Sequence, residues 1–294
     1  MMAHLLVWTM RLLAYFPLSS LRALGWFLGS VLFELARRRR HVVNVNLALC
    51  FPDKSQPERR ALARQHFVLL AQSFLDRAWL WHAPLAKVQE RIKWFGPEQA
   101  LAALAAEQAT LIFAPHFVGL DAGGLALTMR VAKPVAFIFV PQHNAVLDDW
   151  VNQGRQRGGQ VKPYFRHDGV KQIISGMRHG EVLHLSPDMD FGAQESMFVP
   201  FMGVPAATLP SLPRFAKSGR AQVMPMLTRL TPQGYEIELL APWTDFPSDD
   251  LAADTLRMND VLATWIAQNP AQYYWVHKRF KTRPLGEASL YTAL

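Results

Sequence analysis

Thr110-Leu-Ile-Phe-Ala-Pro-His116-Phe-Val-Gly119-Leu-Asp121-Ala-Gly123-Gly124 packs a strand, a loop and the start of a helix into one short stretch. The apolar run at 111–114 has the length and composition of a buried strand. Pro115 ends it, because proline has no N–H to give a ladder. Gly119 frees the turn that follows, and the spacing over 117–130 predicts a helix. A buried strand feeding a helix is the repeating unit of an α/β sheet.

The same alternation continues outward. Strands are expected at 135–140, 161–165, 182–186, 197–199, 222–230 and 235–240, with helices at 145–157, 169–178, 208–218 and 250–268. Thr231-Pro-Gln-Gly234 reads as a hairpin turn between the last two strands, so the sheet should be mixed. Residues 42–106 read as helical, with Phe67, Leu69, Leu70, Phe74 and Leu75 at helical spacing after Pro57 and before Leu80. The expected fold is α/β: a mixed, mainly parallel central sheet covered by helices, with an N-terminal helical segment that anchors to a membrane. The one plausible boundary falls near residues 40–60 and divides an anchor at 1–40 from a body at 41–294.

The anchor reading rests on composition. The chain of 294 residues is 50% hydrophobic and only 18% charged, with nine Trp and a net charge of +8; its mean hydropathy is +0.04. That is apolar for a water-soluble enzyme, yet it lacks a series of long apolar spans. Residues 4–16 and 21–36 are the two apolar runs, broken by Pro17, and Arg37-Arg38-Arg39-Arg40 follows at once. In a signal peptide the basic residues precede the apolar run, so that reading fails. A buried helix pair and a nucleic-acid contact are the other rivals. A polybasic block beside an apolar helix fits anionic headgroups on the cytoplasmic face better than either. The single cysteine, Cys50, excludes an internal disulfide and a cysteine-based zinc site.

His116 and Asp121 are the first candidates for chemistry. Histidine takes a proton near neutral pH, and a carboxylate on its other ring nitrogen fixes the tautomer. Five positions on one helix differ by about 140° in azimuth. The pair therefore meets only if His116 lies in the loop and Asp121 in the first helical turn. Taken alone, the spacing is equally that of a histidine closing a strand and an aspartate capping a helix. Arg166, in Tyr164-Phe165-Arg166-His167-Asp168-Gly169, sits where an arginine can grip a phosphate. Asp188 and Asp190 close a strand; an Asp-x-Asp pair also serves metal-dependent glycosyltransferases. His277, Lys278, Arg279 and Arg283 form a late basic block, with Lys281 among them, suited to an anionic partner. Arg214, Lys217 and Arg220 on the expected 208–218 helix and its end are weaker candidates for the same face. His143, His167, His179 and His184 show no metal spacing. No nucleophile elbow, Walker loop or dinucleotide fingerprint occurs.

Together the motifs carry a resemblance. His116-x4-Asp121 resembles the shared motif of glycerolipid acyltransferases. Pro187-Asp188-Met-Asp190-Phe-Gly192, Phe198-Val-Pro200-Phe-Met-Gly203 and Gln272-Tyr-Tyr-Trp275-Val-His277-Lys278-Arg279-Phe280-Lys281-Thr-Arg283-Pro284 then follow in order. With Asn46-Leu, Phe51-Pro52 and Arg166-x-Asp168, they resemble the bacterial lipid A biosynthesis acyltransferases over nearly the whole chain. The resemblance implies an acyltransferase catalytic domain at 41–294. It implies transfer of a fatty acyl group from acyl carrier protein, the acyl-ACP co-substrate, to a hydroxyl of a lipid A precursor. His116 would be the base and Asp121 its orienting acid, with Arg166 near the active site. Substrate-binding roles would fall to Arg166, Asp188, Asp190, His277, Lys278, Arg279 and Arg283. Phe137, Phe139, Met197, Phe198, Phe201 and Met202 are candidates for an acyl groove or for plain core.

No cofactor and no metal are expected, since the thioester is already activated. The expected partners are acyl carrier protein, an anionic glycolipid and inner-membrane lipids, and no nucleic acid. The expected location is the bacterial inner membrane, with the body on the cytoplasmic side. In one respect the chain departs from the pattern. Members acting on lipid A commonly carry glutamate where Asp121 stands, which leaves another lysophospholipid or glycolipid open as acceptor. A glycosyltransferase using Asp188 and Asp190 and a membrane-binding protein without activity are the rival classes.

Overall fold

The computed structural model describes residues 1–165 and 168–292. Arg166 and His167 lie outside the described residues. Four helices open the chain: α1 (Met2–Leu13), α2 (Leu18–Leu35), α3 (Arg37–Cys50) and α4 (Gln56–His82). The α4 start is written in the sequence. Ser55 and Glu58 form a reciprocal capping box, and Pro57 sits in the first turn. After α5 (Leu85–Gln89) come β1 (Ile92–Phe95), α6 (Glu98–Ala105), β2 (Thr110–Phe113), α7 (Leu120–Arg130), β3 (Val135–Phe139) and α8 (Ala145–Gln156). Next are β4 (Val161–Phe165), α9 (Val170–Arg178), β5 (Val182–Leu185), β6 (Met197–Phe201), β7 (Val204–Thr208), α10 (Ser211–Gly219), β8 (Gln222–Thr231), β9 (Gly234–Leu239) and α11 (Leu251–Gln268).

Seven strands form one sheet in the order β1-β9-β8-β2-β5-β3-β4. All neighbours are parallel except the β8–β9 hairpin, so the sheet is mixed and mainly parallel, as the sequence indicates. β2 and β5 are buried along their whole length, as expected of central strands covered on both faces. The reading of 42–106 as all helical needs one correction. Ile92–Phe95 is an edge strand, pairing in parallel with β9 about 140 positions further on. The segment expected at 197–199 is likewise longer: β6 turns through Met202 and Gly203, both at positive φ, into β7. Two left-handed residues in succession make the tight turn whose twist suits a hairpin.

The N-terminal helices are packed on the body. Val7 and Met10 of α1 and Leu18 and Leu21 of α2 share a core cluster with Ile112, Met224 and Tyr235 of the sheet. Gly25 and Gly29 let the α2 backbone close on α4. A Cβ at Gly29 would stand 2.4 Å from the Val68 Cα. Arg22 of α2 pairs at 2.9 Å with Asp76 of α4, and both are buried. The Tyr235 hydroxyl also donates to Asp76. The opposite faces are open: Leu5, Trp8, Leu12, Trp26, Phe27, Val31, Leu32 and Leu35 are exposed.

Candidate active site

The strand pair β2–β5 builds the centre of the site. The two strands run in parallel with Phe113 level with Leu185. His116 and Asp188 each stand three positions beyond those residues, so the register delivers them side by side. They lie at the carboxyl ends of parallel strands, where open α/β sheets place their ligands. The Ala114 N–H donates to the Leu185 carbonyl at 2.9 Å, and the Ser186 hydroxyl to the Ala114 carbonyl at 2.5 Å, which carries the register past the strand ends.

Nδ1 of His116 meets Oδ1 of Asp188 at 2.8 Å. The His116 backbone N–H donates to both oxygens of the same carboxylate, at 3.2 and 3.1 Å. Asp188 is fully buried. Burial pushes its carboxyl up, but the charge and hydrogen bonds of His116 outweigh this and hold it below the usual carboxylate range. An ionised Asp188 accepts from Nδ1–H and so leaves Nε2 as the basic nitrogen of His116. The site is braced from the C-terminal segment. The Tyr274 N–H donates to the His116 carbonyl at 2.9 Å, and Phe117 forms a bridge with Tyr273.

The expected partnership of His116 with Asp121 is therefore corrected: the carboxylate on the imidazole belongs to Asp188. Asp121 does sit in the first turn of α7, as the spacing argument required. Its oxygens, however, are engaged by other helices. Oδ2 accepts from Nε of Arg77 in α4 at 2.8 Å. Oδ1 accepts from Nε of Arg155 in α8 at 3.0 Å, and Nη2 of Arg155 also stands 3.0 Å from it. Burial pushes the Asp121 carboxyl up, but Arg155 first and Arg77 second draw it far below its ordinary range. The two guanidiniums are seated on aromatic faces, Arg77 over Phe74 and Trp81 and Arg155 over Phe139.

His116, Asp121, Arg155 and His184 line one cavity of about 650 Å³. Its other walls are largely apolar, with Leu125, Phe137, Phe139, Ile173, Leu185 and Phe215 among them. Of the residues considered for an acyl groove, Phe137 and Phe139 are in the wall; Met197, Phe198, Phe201 and Met202 belong to the β6–β7 hairpin. A second cavity, of about 680 Å³, lies by Trp94, Leu104, Met129 and Arg130, and neither His116 nor any carboxylate lines it.

Asp190, His277, Arg279 and Arg283 make their contacts within the protein. Asp190 is buried; it accepts from Thr282 N–H and Oγ1 at 2.8 Å each, and from the Gly192 N–H at 2.9 Å. Its own N–H donates to Nε2 of His277 at 3.0 Å. Burial first, then the charge of Arg279, brings His277 down to about 4. Asp188 and Asp190 thus face different partners. Among the described residues no group of three or more His, Cys, Asp and Glu is placed to hold a metal ion. In the late basic block Arg279 and Arg283 clasp β7, while Lys278 and Lys281 are exposed. Arg279 is buried and donates to the Ala207 carbonyl at 2.9 Å and to Thr208 Oγ1 at 2.8 Å. Arg283 donates to the Pro205 carbonyl and pairs with Glu287, both at 2.6 Å. Lys278 is exposed, with its Nζ over the Tyr291 ring. None of these four C-terminal residues lines the cavity. Arg166 lies outside the described residues. Arg77 and Arg155 were missed in the sequence because they stand 44 and 34 positions from Asp121, with no local motif to mark them.

With this geometry in place, comparison with known proteins is informative. The chain matches the family model of bacterial lipid A biosynthesis acyltransferases over residues 1–282. It is 30% identical over 283 residues to the lipid A biosynthesis lauroyltransferase of Escherichia coli (strain K12), covering 95% of this chain and 91% of that protein. The lipid A biosynthesis myristoyltransferase of the same organism is 32% identical over 279 residues, with 92% and 83% covered. A lipid A biosynthesis acyltransferase of Haemophilus influenzae is 31% identical over 278 residues, with 94% and 86% covered.

Proposed function

The chain belongs to the bacterial lipid A biosynthesis acyltransferase family and is an acyltransferase; from that premise we propose that it moves a fatty acyl group from acyl-ACP to a hydroxyl of a lipid A precursor. The observation that carries the mechanism is the 2.8 Å contact of His116 Nδ1 with a buried, ionised Asp188 at the rim of a largely apolar cavity.

In this reading Nε2 of His116 takes the proton of the acceptor hydroxyl as its oxygen attacks the thioester carbonyl. Asp188 stabilises the imidazolium that forms. The tetrahedral intermediate collapses with loss of the carrier thiolate, which takes the proton back from Nε2. The positive end of α7 favours the oxyanion. Phe137, Phe139, Leu125 and Leu185 offer the acyl chain an apolar wall. The thioester is activated, so the transfer as written uses neither ATP nor metal, and added chelator should leave the rate unchanged. Because Asp121 holds arginines and not His116, its replacing a glutamate bears on that clamp and does not argue for a different acceptor.

The open apolar faces of α1 and α2 and the exposed Arg37 and Arg38 support attachment to the inner membrane, with the body on the cytoplasmic side. The test is reconstitution of the purified protein with acyl-ACP and a lipid A precursor, read by mass spectrometry. The expected product is heavier by one acyl group, and His116→Ala should cut turnover by about 10²–10⁴-fold. Near-wild-type turnover in folded His116→Ala would overturn the mechanism.

A further inference from the structure

Among the polar side chains of the cavity wall, Asp121, Arg155 and His184 have no part in the proton transfer. Arg77 backs them from α4, through Asp121. Within this cluster two cations face one carboxylate, which leaves the cluster net positive; Glu195, the other carboxylate in the cavity wall, is exposed to solvent and pairs with neither arginine. Arg77 decides this: with Arg155 alone, Asp121 would cancel the charge, and with both it cannot. The aromatic seats on Phe74, Trp81 and Phe139 fix the two guanidiniums in place. Asp121 takes only Nε and Nη2 of Arg155, and among the described residues Nη1 of Arg155 has no protein partner. Both arginine side chains remain about a third exposed, at 30% and 32%.

His184 is the independent observation. It lies on β5, is 6% exposed, and lines the same cavity. Its Nε2 is buried and has no hydrogen-bond partner. Burial first, then the charges of Arg155 and His116, bring the imidazole down to about 3, so it is neutral. A buried polar atom without a protein partner, beside Phe137 and Leu125, costs free energy that a bound ligand atom recovers. Uncompensated guanidinium charge and an unpartnered imidazole in one wall ask for the same thing, an anion with several acceptor oxygens. Phosphate meets guanidinium with charge-assisted, paired hydrogen bonds.

We propose that Arg155 and His184, with Arg77 as the charge that frees Arg155, form a phosphate-binding subsite of the acyl-transfer cavity. The subsite rests on the acyl-transfer reading. The phosphate comes either from the glycolipid acceptor or from the phosphodiester of the carrier's pantetheine arm. Arg155 contacts the ligand; Arg77 and Asp121 are positioning residues.

Steady-state kinetics separates the two sources. One arm uses the acceptor with its phosphates removed enzymatically. The other replaces acyl-ACP by the N-acetylcysteamine thioester of the same acyl chain, which lacks the phosphodiester. Each is run on the wild type, Arg155→Gln, Arg155→Lys and His184→Phe. In the wild type, removing the relevant phosphate should lower kcat/KM at least tenfold, mainly through KM. In Arg155→Gln the same removal should cost less than threefold, because the partner is already gone, with Arg155→Lys in between. The source is the substrate whose phosphate shows this loss of sensitivity. If neither removal affects the wild type, or if the effects of substitution and removal multiply independently in both arms, the subsite is overturned. The wild-type arms decide this even if a variant fails to fold. Absence of any acyl transfer by the wild type would instead sink the proposed function itself.

Discussion

At the scale of single residues, Asp188 and not Asp121 stands on the His116 ring, and the consequence is measurable. Asp188→Asn keeps the shape but removes the charge facing Nδ1. Turnover should fall by about 10²–10⁴-fold, with the fold retained, as when the acid behind a catalytic histidine is neutralised. Asp121→Asn should instead act through Arg77 and Arg155. It should disturb KM more than kcat, the split being read from full saturation curves. Equal kcat losses for the two variants would contradict the assignment. A second residue-scale prediction concerns pH. His66, His184 and His277 are held neutral, at about 4, about 3 and about 4, mainly by burial. These values lie below the ordinary 6.5, so the unfolded chain takes up protons first as pH falls. Their stabilisation is complete above pH 6.5 and is lost on the way down to about 4. Asp76 works in the opposite sense: burial raises it to about 6, so it gains stability as pH falls from about 6 towards 3.8. Three histidines outweigh one aspartate, and the denaturant midpoint should fall between pH 7 and pH 5. His66→Phe should flatten that slope; a midpoint that rises on acidification would refute the account.

At the scale of elements, legibility followed the range of the forces involved. The β2–α7 unit was readable because an apolar run, a proline and a glycine signal it within a few residues. So was the α4 start, since Ser55 and Glu58 cap each other locally. β1 was not, because Ile92-Lys-Trp-Phe95 is too short for periodicity and owes its existence to β9 across the chain. The β6–β7 turn was missed because Met202 has no intrinsic taste for positive φ; Gly203 and the pairing of the strands impose it. The site divides the same way. His116 and Asp188 were both legible as candidates, but their pairing depends on the register of β2 with β5, which no local pattern encodes. Glycines in α2 make the same point about packing. Gly25 and Gly29 look like poor helix formers, yet each takes up the closest approach to α4. Gly29→Ala should cost about 1–3 kcal/mol through overpacking, seen as a drop of several degrees in Tm. Leu28→Ala, on the exposed part of the same helix, should cost under about 0.5 kcal/mol by the same measurement. Similar losses at both positions would mean that α2 does not pack on α4 as described.

At the scale of the molecule, the proposed membrane attachment must be met by an apolar N-terminus that is packed on a body. α2 is long and apolar enough to cross a membrane. Its inner face, however, is buried from Leu18 through Arg22, Gly25 and Gly29 to Phe33, along α4. A crossing α2 would either leave α4, breaking the buried Arg22–Asp76 pair, or carry α4 into the hydrocarbon. α4 bears Glu58, Arg59, Arg60, Arg64 and Arg77, each costing on the order of 2.5–3.5 kcal/mol at mid-membrane. An α2 lying in the plane of one leaflet avoids both costs. Trp26, Phe27, Val31 and Leu32 then enter the lipid, as do Leu5, Trp8 and Leu12 of α1. The arginines fit this arrangement. Arg37–Arg40 occupy the first turn of α3, where a helix dipole disfavours cations, and anionic headgroups offset that penalty. The prediction is that residues on either side of α2 face the same aqueous compartment. Cys50 is buried, so single cysteines in place of His4, Ser20 and Arg38 report their own surroundings. A membrane-impermeant maleimide applied to sealed vesicles of both orientations should reach none of them from the face opposite the catalytic body. Reaction of Ser20→Cys or His4→Cys from that opposite face would establish a crossing helix and a body that releases α2. A protein that stays in the supernatant when the vesicles are sedimented would instead remove the membrane from the account altogether.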